Sequence, residues 1–189
     1  MQPQEPSSQP HAVMPQSEAH PPEGPIERAV GKLNEVIGEG SGYLYFLVFA
    51  ICLMEILLRF FFNSPTTWAF EVTIALCGIQ YCLAGGNAHR LGRHIRIDAI
   101  YLAFPLRLRK VFDVVGEVII SLVVSSIVYG SGVQALRALS AWQTTGSAFD
   151  SPAPTFMKLA IPIGAFLILL QSLVNLRRAF IALRRGNEK

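Results

Sequence analysis

Four apolar stretches, each near or above the length of a membrane span, constrain the fold of this chain most strongly. They cover residues 43–62, 68–88, 111–139 and 157–176. A helix of about 20 apolar residues crosses the hydrocarbon core of a bilayer. A soluble domain of 189 residues does not contain several such runs, and 51% of this sequence is hydrophobic. The sequence therefore predicts an all-α integral membrane protein with four transmembrane helices.

Lysine and arginine residues are concentrated on one side of these predicted spans. Most of them lie in the N-terminal segment, in the loop 89–110 between the second and third spans, and after the fourth span, whereas Arg59, Arg137 and Lys158 lie toward the other side. Loops with such an excess of basic residues stay in the cytoplasm. We therefore predict that both termini and the loop 89–110 are cytoplasmic. The turn between the first two spans and the loop 140–156 then lie on the opposite side.

The predicted membrane domain covers residues 40–182, and the segments on either side of it are more polar. Residues 1–25 are rich in Pro, Gln, Ser and Glu, so they bury too little apolar surface to offset the entropy of ordering, and we predict a disordered tail. Residues 26–39 have apolar side chains at helical spacing, which predicts an amphipathic helix. This helix lies either on the membrane surface or against neighbouring loops. A short tail, residues 183–189, ends the chain.

The loop 89–110 is predicted to be interfacial and to contain a second amphipathic helix. Basic residues next to a span contact lipid phosphate, and tryptophan favours the interface between membrane and water. The predicted lipid-contacting residues are Trp68, Arg90, Arg93, Arg96, Arg107, Arg109 and Lys110. Two histidines in this loop, His89 and His94, belong to no recognisable nucleophile motif, so we interpret them as solvated loop residues.

Charged residues mark the turn between the first and second spans. Arg59 lies about one helical turn before residues 63–65, which favour a turn, and Glu71 lies about one turn after them. Lone charges at this depth are costly, whereas a facing pair is tolerated, so we predict an Arg59–Glu71 pair. Glu55 and Arg59 also have the spacing of an intrahelical pair. The three charges, Glu55, Arg59 and Glu71, are predicted to form a structural network.

Several other functions lack their sequence patterns here. Gly31-Lys32 has neither the earlier glycine nor the following Ser or Thr of a P-loop. The cysteines lie in apolar runs without metal or redox spacing, the histidines lie outside the predicted spans, and no basic face carries interleaved aromatic residues. We therefore predict no enzymatic activity, no cofactor, no metal site and no nucleic-acid partner.

Three motifs, taken together, resemble a known family. They are Arg59-Phe60-x-Phe62-Asn63-x-Pro65-x-x-Trp68-x-x-Glu71, then His94-Ile95-Arg96-Ile97-Asp98, then Lys158-Leu159-Ala160-Ile161-Pro162-Ile163-Gly164. Their order and spacing resemble the small, DctQ-type membrane subunits of tripartite ATP-independent periplasmic (TRAP) transporters, over residues 43–182. Pro162 and Gly164 in the third motif also predict a helix kink.

The resemblance implies a subunit without its own transport site, in the bacterial inner membrane. In the family, a large multi-span subunit carries substrate and sodium by an elevator-like movement, and a soluble periplasmic protein delivers an organic anion. The small subunit braces the fixed scaffold of the large one. The implied partners are the large subunit, the periplasmic binding protein and membrane phospholipid. The alternative interpretation is an autonomous four-span carrier or membrane enzyme.

Overall fold

The computed structural model describes residues 24–91 and 106–185. Those residues form five α-helices and no strand. The helices are α1 (Pro25–Gly42), α2 (Leu44–Phe61), α3 (Ala69–Arg90), α4 (Leu106–Ala141) and α5 (Ala153–Arg185).

Four helical stretches in the described residues are long and apolar enough to cross a membrane. Their bounds are Pro25–Phe61, Ala69–Arg90, Leu108–Ala141 and Ala153–Arg184. The predicted all-α fold with four membrane-spanning helices is therefore confirmed. The predicted N-terminal tail up to residue 23, residues 92–105 of the predicted basic loop and the last four residues lie outside the described residues.

Helix α5 is the centre of the bundle, since it packs against α4 along one side and α3 along another. Its contact with α3 depends on glycine. A Cβ atom at Gly164 would overlap the backbone carbonyl of Cys82, and one at Gly78 or Gly85 would meet a side chain of α5. Without these side chains the two backbones approach closely, as is typical of helix pairs in membranes. Pro162 lies inside this long helix, and the kink predicted there stays a prediction.

Helix α1 turns a polar face toward the bundle. Its buried residues are Glu27, Asn34 and Ser41, which follow one another at intervals of seven positions and share one face over about four turns. They face α3 and α5, whereas the apolar residues Ile26 and Leu33 are exposed. The amphipathic helix thus packs against other helices through polar atoms and leaves its apolar face uncovered.

Helix α2 lies at the edge of the bundle. None of its residues is buried, and its neighbours are α3 and, more sparsely, α1. Large side chains such as Phe46 and Phe60 are almost fully exposed. The first span therefore has little contact with the rest of the chain.

Candidate functional site

Glu55 fixes the turn between α2 and α3. Its Oε1 atom accepts a hydrogen bond from Arg59 Nη2 at 2.9 Å. Its Oε2 atom accepts two more from Thr66, from the backbone N at 3.1 Å and from Oγ1 at 2.5 Å. The intrahelical Glu55–Arg59 pair expected from the spacing is therefore present. Glu55 also ties the turn back onto α2.

Glu71 binds the distant loop between α4 and α5, residues 142–152. Its carboxylate accepts hydrogen bonds from Thr145 Oγ1 at 2.9 Å, from Ser151 Oγ at 2.5 Å and from Ser147 Oγ. The predicted Arg59–Glu71 pair is not formed in the described structure, and that prediction is wrong. Arg59 already has a partner one turn away on its own helix, while three hydroxyl groups surround Glu71.

The loop that binds Glu71 has a defined shape of its own. Gly146 and Asp150 have positive φ angles of 67° and 49°. The backbone N of Gly146 donates to Asp150 Oδ1 at 3.0 Å, and Thr145 N donates to the carbonyl of Ser151 at 3.0 Å. Glu71 therefore joins this ordered loop to the start of α3.

A second polar group, the buried cluster of His89, Glu117, Ser172 and Asn175, joins α3, α4 and α5 at the other end. His89 Nε2 lies 3.3 Å from Glu117 Oε2, and Ser172 Oγ donates to the same oxygen at 2.8 Å. Asn175 Nδ2 lies 3.5 Å from Glu117 Oε1 and 3.4 Å from His89 Nε2. His89 and Glu117 are only 4% and 8% exposed.

The prediction that His89 is a solvated loop residue is wrong. Helix α3 continues to Arg90, so its last turn carries His89 into the bundle. The Gly85-Gly86 pair, whose composition is typical of a helix end, lies inside the helix. A Cβ atom at Gly86 would overlap Asn34 Oδ1, and one at Gly85 would meet Ile168.

The buried cluster extends to α1. Gln171 Nε2 donates to Asn175 Oδ1 at 3.1 Å, and Asn34 Nδ2 donates to Gln171 Oε1 at 3.2 Å. On the other side, Ser121 Oγ and Ser172 Oγ are 3.0 Å apart. One chain of hydrogen bonds therefore connects α1, α3, α4 and α5. Hydrogen bonds of this kind between membrane helices are each worth about 0.6–2 kcal/mol.

Ion pairs near the buried cluster also hold α1 in place. Glu27 lies 3.0 Å from Arg177 Nη1 and 3.4 Å from Arg178 Nε. Glu35 lies 3.5 Å from Arg90 Nη2. Helix α1 is therefore tied to α5 near its start and to α3 near its middle.

The residues predicted to contact lipid fall into different positions. Trp68 is half-buried and precedes α3. Arg90 bonds to Asn87 and pairs with Glu35, and Lys110 Nζ lies 3.5 Å from the carbonyl of Ala182. Arg109 is half-buried on α4. Arg107 lies in the first turn of α4, but its side chain is outside the described part of the structure, as are residues Arg93 and Arg96. Their contact with lipid stays a prediction.

The carboxylates described above take part in packing contacts between helices and turns. Among the described residues, no group of three or more His, Cys, Asp or Glu side chains could hold a metal ion. The carboxylates of Glu55, Glu71 and Glu117 each accept several hydrogen bonds from neighbouring groups. These carboxylates join helices and turns.

Four apolar helices with polar contacts between them define a multi-pass membrane protein. Residues 48–182 match the family described as the DctQ component of tripartite ATP-independent periplasmic transporters. The chain belongs to this family, so the resemblance drawn from its motifs is confirmed. Comparison with curated proteins gives no match.

Proposed function

We propose that this chain is the small membrane subunit that braces the large, substrate-translocating subunit of a TRAP transporter. The observation that carries the proposal is the family match over residues 48–182. In this proposal the large subunit couples sodium to the uptake of an organic acid or other small solute. A periplasmic binding protein delivers that solute, and the small subunit performs no catalysis.

The use of the polar side chains in the bundle supports a bracing role. A transport site in a secondary carrier needs convergent polar groups or broken helices near the middle of the membrane. Here the carboxylate of Glu117 bonds to Ser172 and His89 between helices, while Glu71 bonds to a loop at one end. Such contacts stiffen the subunit.

We further propose that both termini are cytoplasmic. The ends of α3 and α5 that carry Arg90, Arg177, Arg178 and Arg184 lie on the side that the distribution of basic residues assigns to the cytoplasm. The unit formed by Glu71 and its loop then faces the periplasm, where it is available to the binding protein. Reporter fusions at Ser64 and Arg96 test this orientation, because periplasmic activity is expected at Ser64 and cytoplasmic activity at Arg96.

Co-purification from membranes tests the bracing role. The affinity-tagged full chain should bring down a much larger multi-span membrane protein in stoichiometric amount, which mass spectrometry identifies. The matched control is the tagged Leu122→Ala variant, which shortens one exposed side chain on α4. It tests whether co-purification of the larger protein depends on a single exposed side chain.

The alternative, an autonomous carrier or membrane enzyme, gives opposite results. The chain alone in liposomes should then take up solute, and it should purify without a larger partner. Uptake by the isolated chain would overturn the bracing proposal. Uptake only after the larger protein is added would support it.

A further inference from the structure

An apolar groove of about 480 Å³ runs between the first part of α4 and the last part of α5. We call it the α4–α5 groove. Val114 and Val118 form one wall, and Leu173 and Phe180 belong to the other. The side chain of Arg177 is the charged member of the lining. The groove therefore combines an apolar trough with a single guanidinium group.

The α4–α5 groove lies between two contacts that hold its walls. On one side Ser172 Oγ donates to Glu117 Oε2 at 2.8 Å, and on the other Lys110 Nζ lies 3.5 Å from the carbonyl of Ala182. The two helices are fixed at both places, so they do not close the space between by moving together. Apolar side chains on the walls make dispersion contacts with an apolar group that enters, so such a group stabilises the groove.

The charge at the groove is positive. Arg177 Nη1 donates to Glu27 Oε1 at 3.0 Å, yet 61% of the Arg177 side chain is exposed. A guanidinium carries five N–H donors, so Arg177 keeps donors for a further anion. The guanidinium of Arg184 lies 5.8 Å from the ring of Phe180, on the groove wall. The exposed guanidinium of Arg177 therefore lines the groove, and that of Arg184 lies at the groove wall near Phe180.

We propose that the α4–α5 groove binds one acyl chain of an anionic phospholipid, whose phosphate is held by Arg177, with Arg184 about two helical turns further along α5. A planar guanidinium fork matches the oxygen geometry of a phosphate. The groove is an open depression between two neighbouring helices, with a volume of about 480 Å³. A flexible acyl chain fits such a depression. From Arg177, the part of the groove lined by Val118 and Leu173 continues along the helices as an acyl chain continues from its headgroup.

Native mass spectrometry of the full chain tests the proposal with phosphatidylglycerol as the probe and phosphatidylcholine as the comparison lipid. The wild-type chain should retain phosphatidylglycerol in preference to phosphatidylcholine. Leu173→Trp fills the groove and should abolish this retention. Leu122→Trp, which adds the same ring at an exposed position of α4 outside the groove lining, should leave it unchanged.

A second pair of variants separates phosphate binding from the docking of α1. Both Arg177→Gln and Glu27→Gln break the Glu27–Arg177 ion pair. Arg177→Gln should weaken phosphatidylglycerol binding about tenfold, since a charge-assisted hydrogen bond is worth about 1.5–3 kcal/mol. Glu27→Gln releases the guanidinium from its carboxylate, so binding should be equal or tighter.

Three results would overturn the proposal. Retention that is equal in wild type and Leu173→Trp would place the lipid elsewhere. Equal losses in Arg177→Gln and Glu27→Gln would show that only the position of α1 matters. Protection of a Leu173→Cys thiol by a co-purified larger membrane protein, with lipid retention absent from the isolated chain, would show that protein fills the groove. None of the lipid measurements requires the transporter assignment to hold.

Discussion

Helices α2 and α5 are both apolar enough to span a membrane, yet they occupy opposite positions in the molecule. In the most apolar part of the first span 0% of the residues are buried inside the chain, whereas in that of the last span 39% are buried. Helix α5 supplies Gly164, Ser172 and Asn175 to contacts with its neighbours. Helix α2 presents large apolar and aromatic side chains, and its charged pair serves a turn.

The comparison teaches what places a helix inside a membrane bundle. Lipid tails are as apolar as leucine, so apolar surface alone gives no preference for the bundle. Small residues that permit close approach and polar residues that need partners do give one. The variants below break a contact of α5, loosen the loop that leads into it, or change α2.

The largest effect is expected for Gly164→Leu. The added side chain meets the backbone carbonyl of Cys82, which cannot move aside as a flexible side chain can. Overpacking typically costs about 1–3 kcal/mol, and separating α3 from α5 also breaks their other contacts. Folded yield, measured by fluorescence-detected size exclusion, should fall sharply. Gly130→Leu on α4 is the control, since no other residue lies near its Cβ position. Equal loss in both variants would contradict the close approach.

A smaller loss of stability is expected for Glu117→Ala. The change removes the carboxylate that accepts a hydrogen bond from Ser172 and lies next to His89. The loss of a buried hydrogen-bond partner lowers the free energy of unfolding by about 1–3 kcal/mol. Thermal unfolding in detergent should show a lower midpoint than wild type. Ser125→Ala, which removes an exposed hydroxyl bonded within its own helix, should leave the midpoint unchanged. A midpoint unaffected by Glu117→Ala would remove the buried cluster as a stabilising element.

A local effect is expected for Glu71→Gln. The amide replaces a carboxylate oxygen that accepts hydroxyl hydrogen bonds, so the loop 142–152 should loosen while the bundle stays folded. Faster proteolysis within that loop is the measurement, with Glu39→Gln on α1 as the control. Reversing both charges as Arg59→Glu and Glu71→Arg should not rescue the single reversals. Rescue would contradict the partners described for these two residues.

The smallest effect is expected for Phe46→Ala on α2. The side chain is 74% exposed within the chain, so its loss removes few internal contacts. Substitutions at such positions change stability by about 0.5 kcal/mol or less. The unfolding midpoint of the isolated chain should match wild type. A drop as large as that of Glu117→Ala would place α2 inside the bundle and end the contrast with α5.

The four spans were predictable because length and apolarity decide whether a helix crosses a membrane. The end of α3 was not. A glycine pair looks like a stop signal in sequence, but Gly85 and Gly86 lie inside the helix, where Asn34 and Ile168 pack. The extra turn brings His89 into the buried cluster. The sequence signal for this buried cluster was the set of asparagine, glutamine and serine residues spaced along α1 and α5.

The partners of the turn charges were predictable only in part. The four-residue spacing of Glu55 and Arg59 gives their contact directly, because residues so spaced share a helix face. Spacing from a turn fixes the depth of Glu71 but not the direction it faces. Its partners, Thr145, Ser147 and Ser151, come from a loop more than seventy residues away in sequence, and only the packing of α3 beside α5 brings them together.

The polar face of α1 has a consequence for biosynthesis. Asn34 and Gln171 are 137 positions apart, and Glu27 and Arg177 are 150 apart. A ribosome delivers the amino end first, so Glu27 and Asn34 wait for their acceptors and donors until the final helix has left the exit tunnel. A nascent chain that stops before α5 therefore leaves Glu27 and Asn34 without these partners.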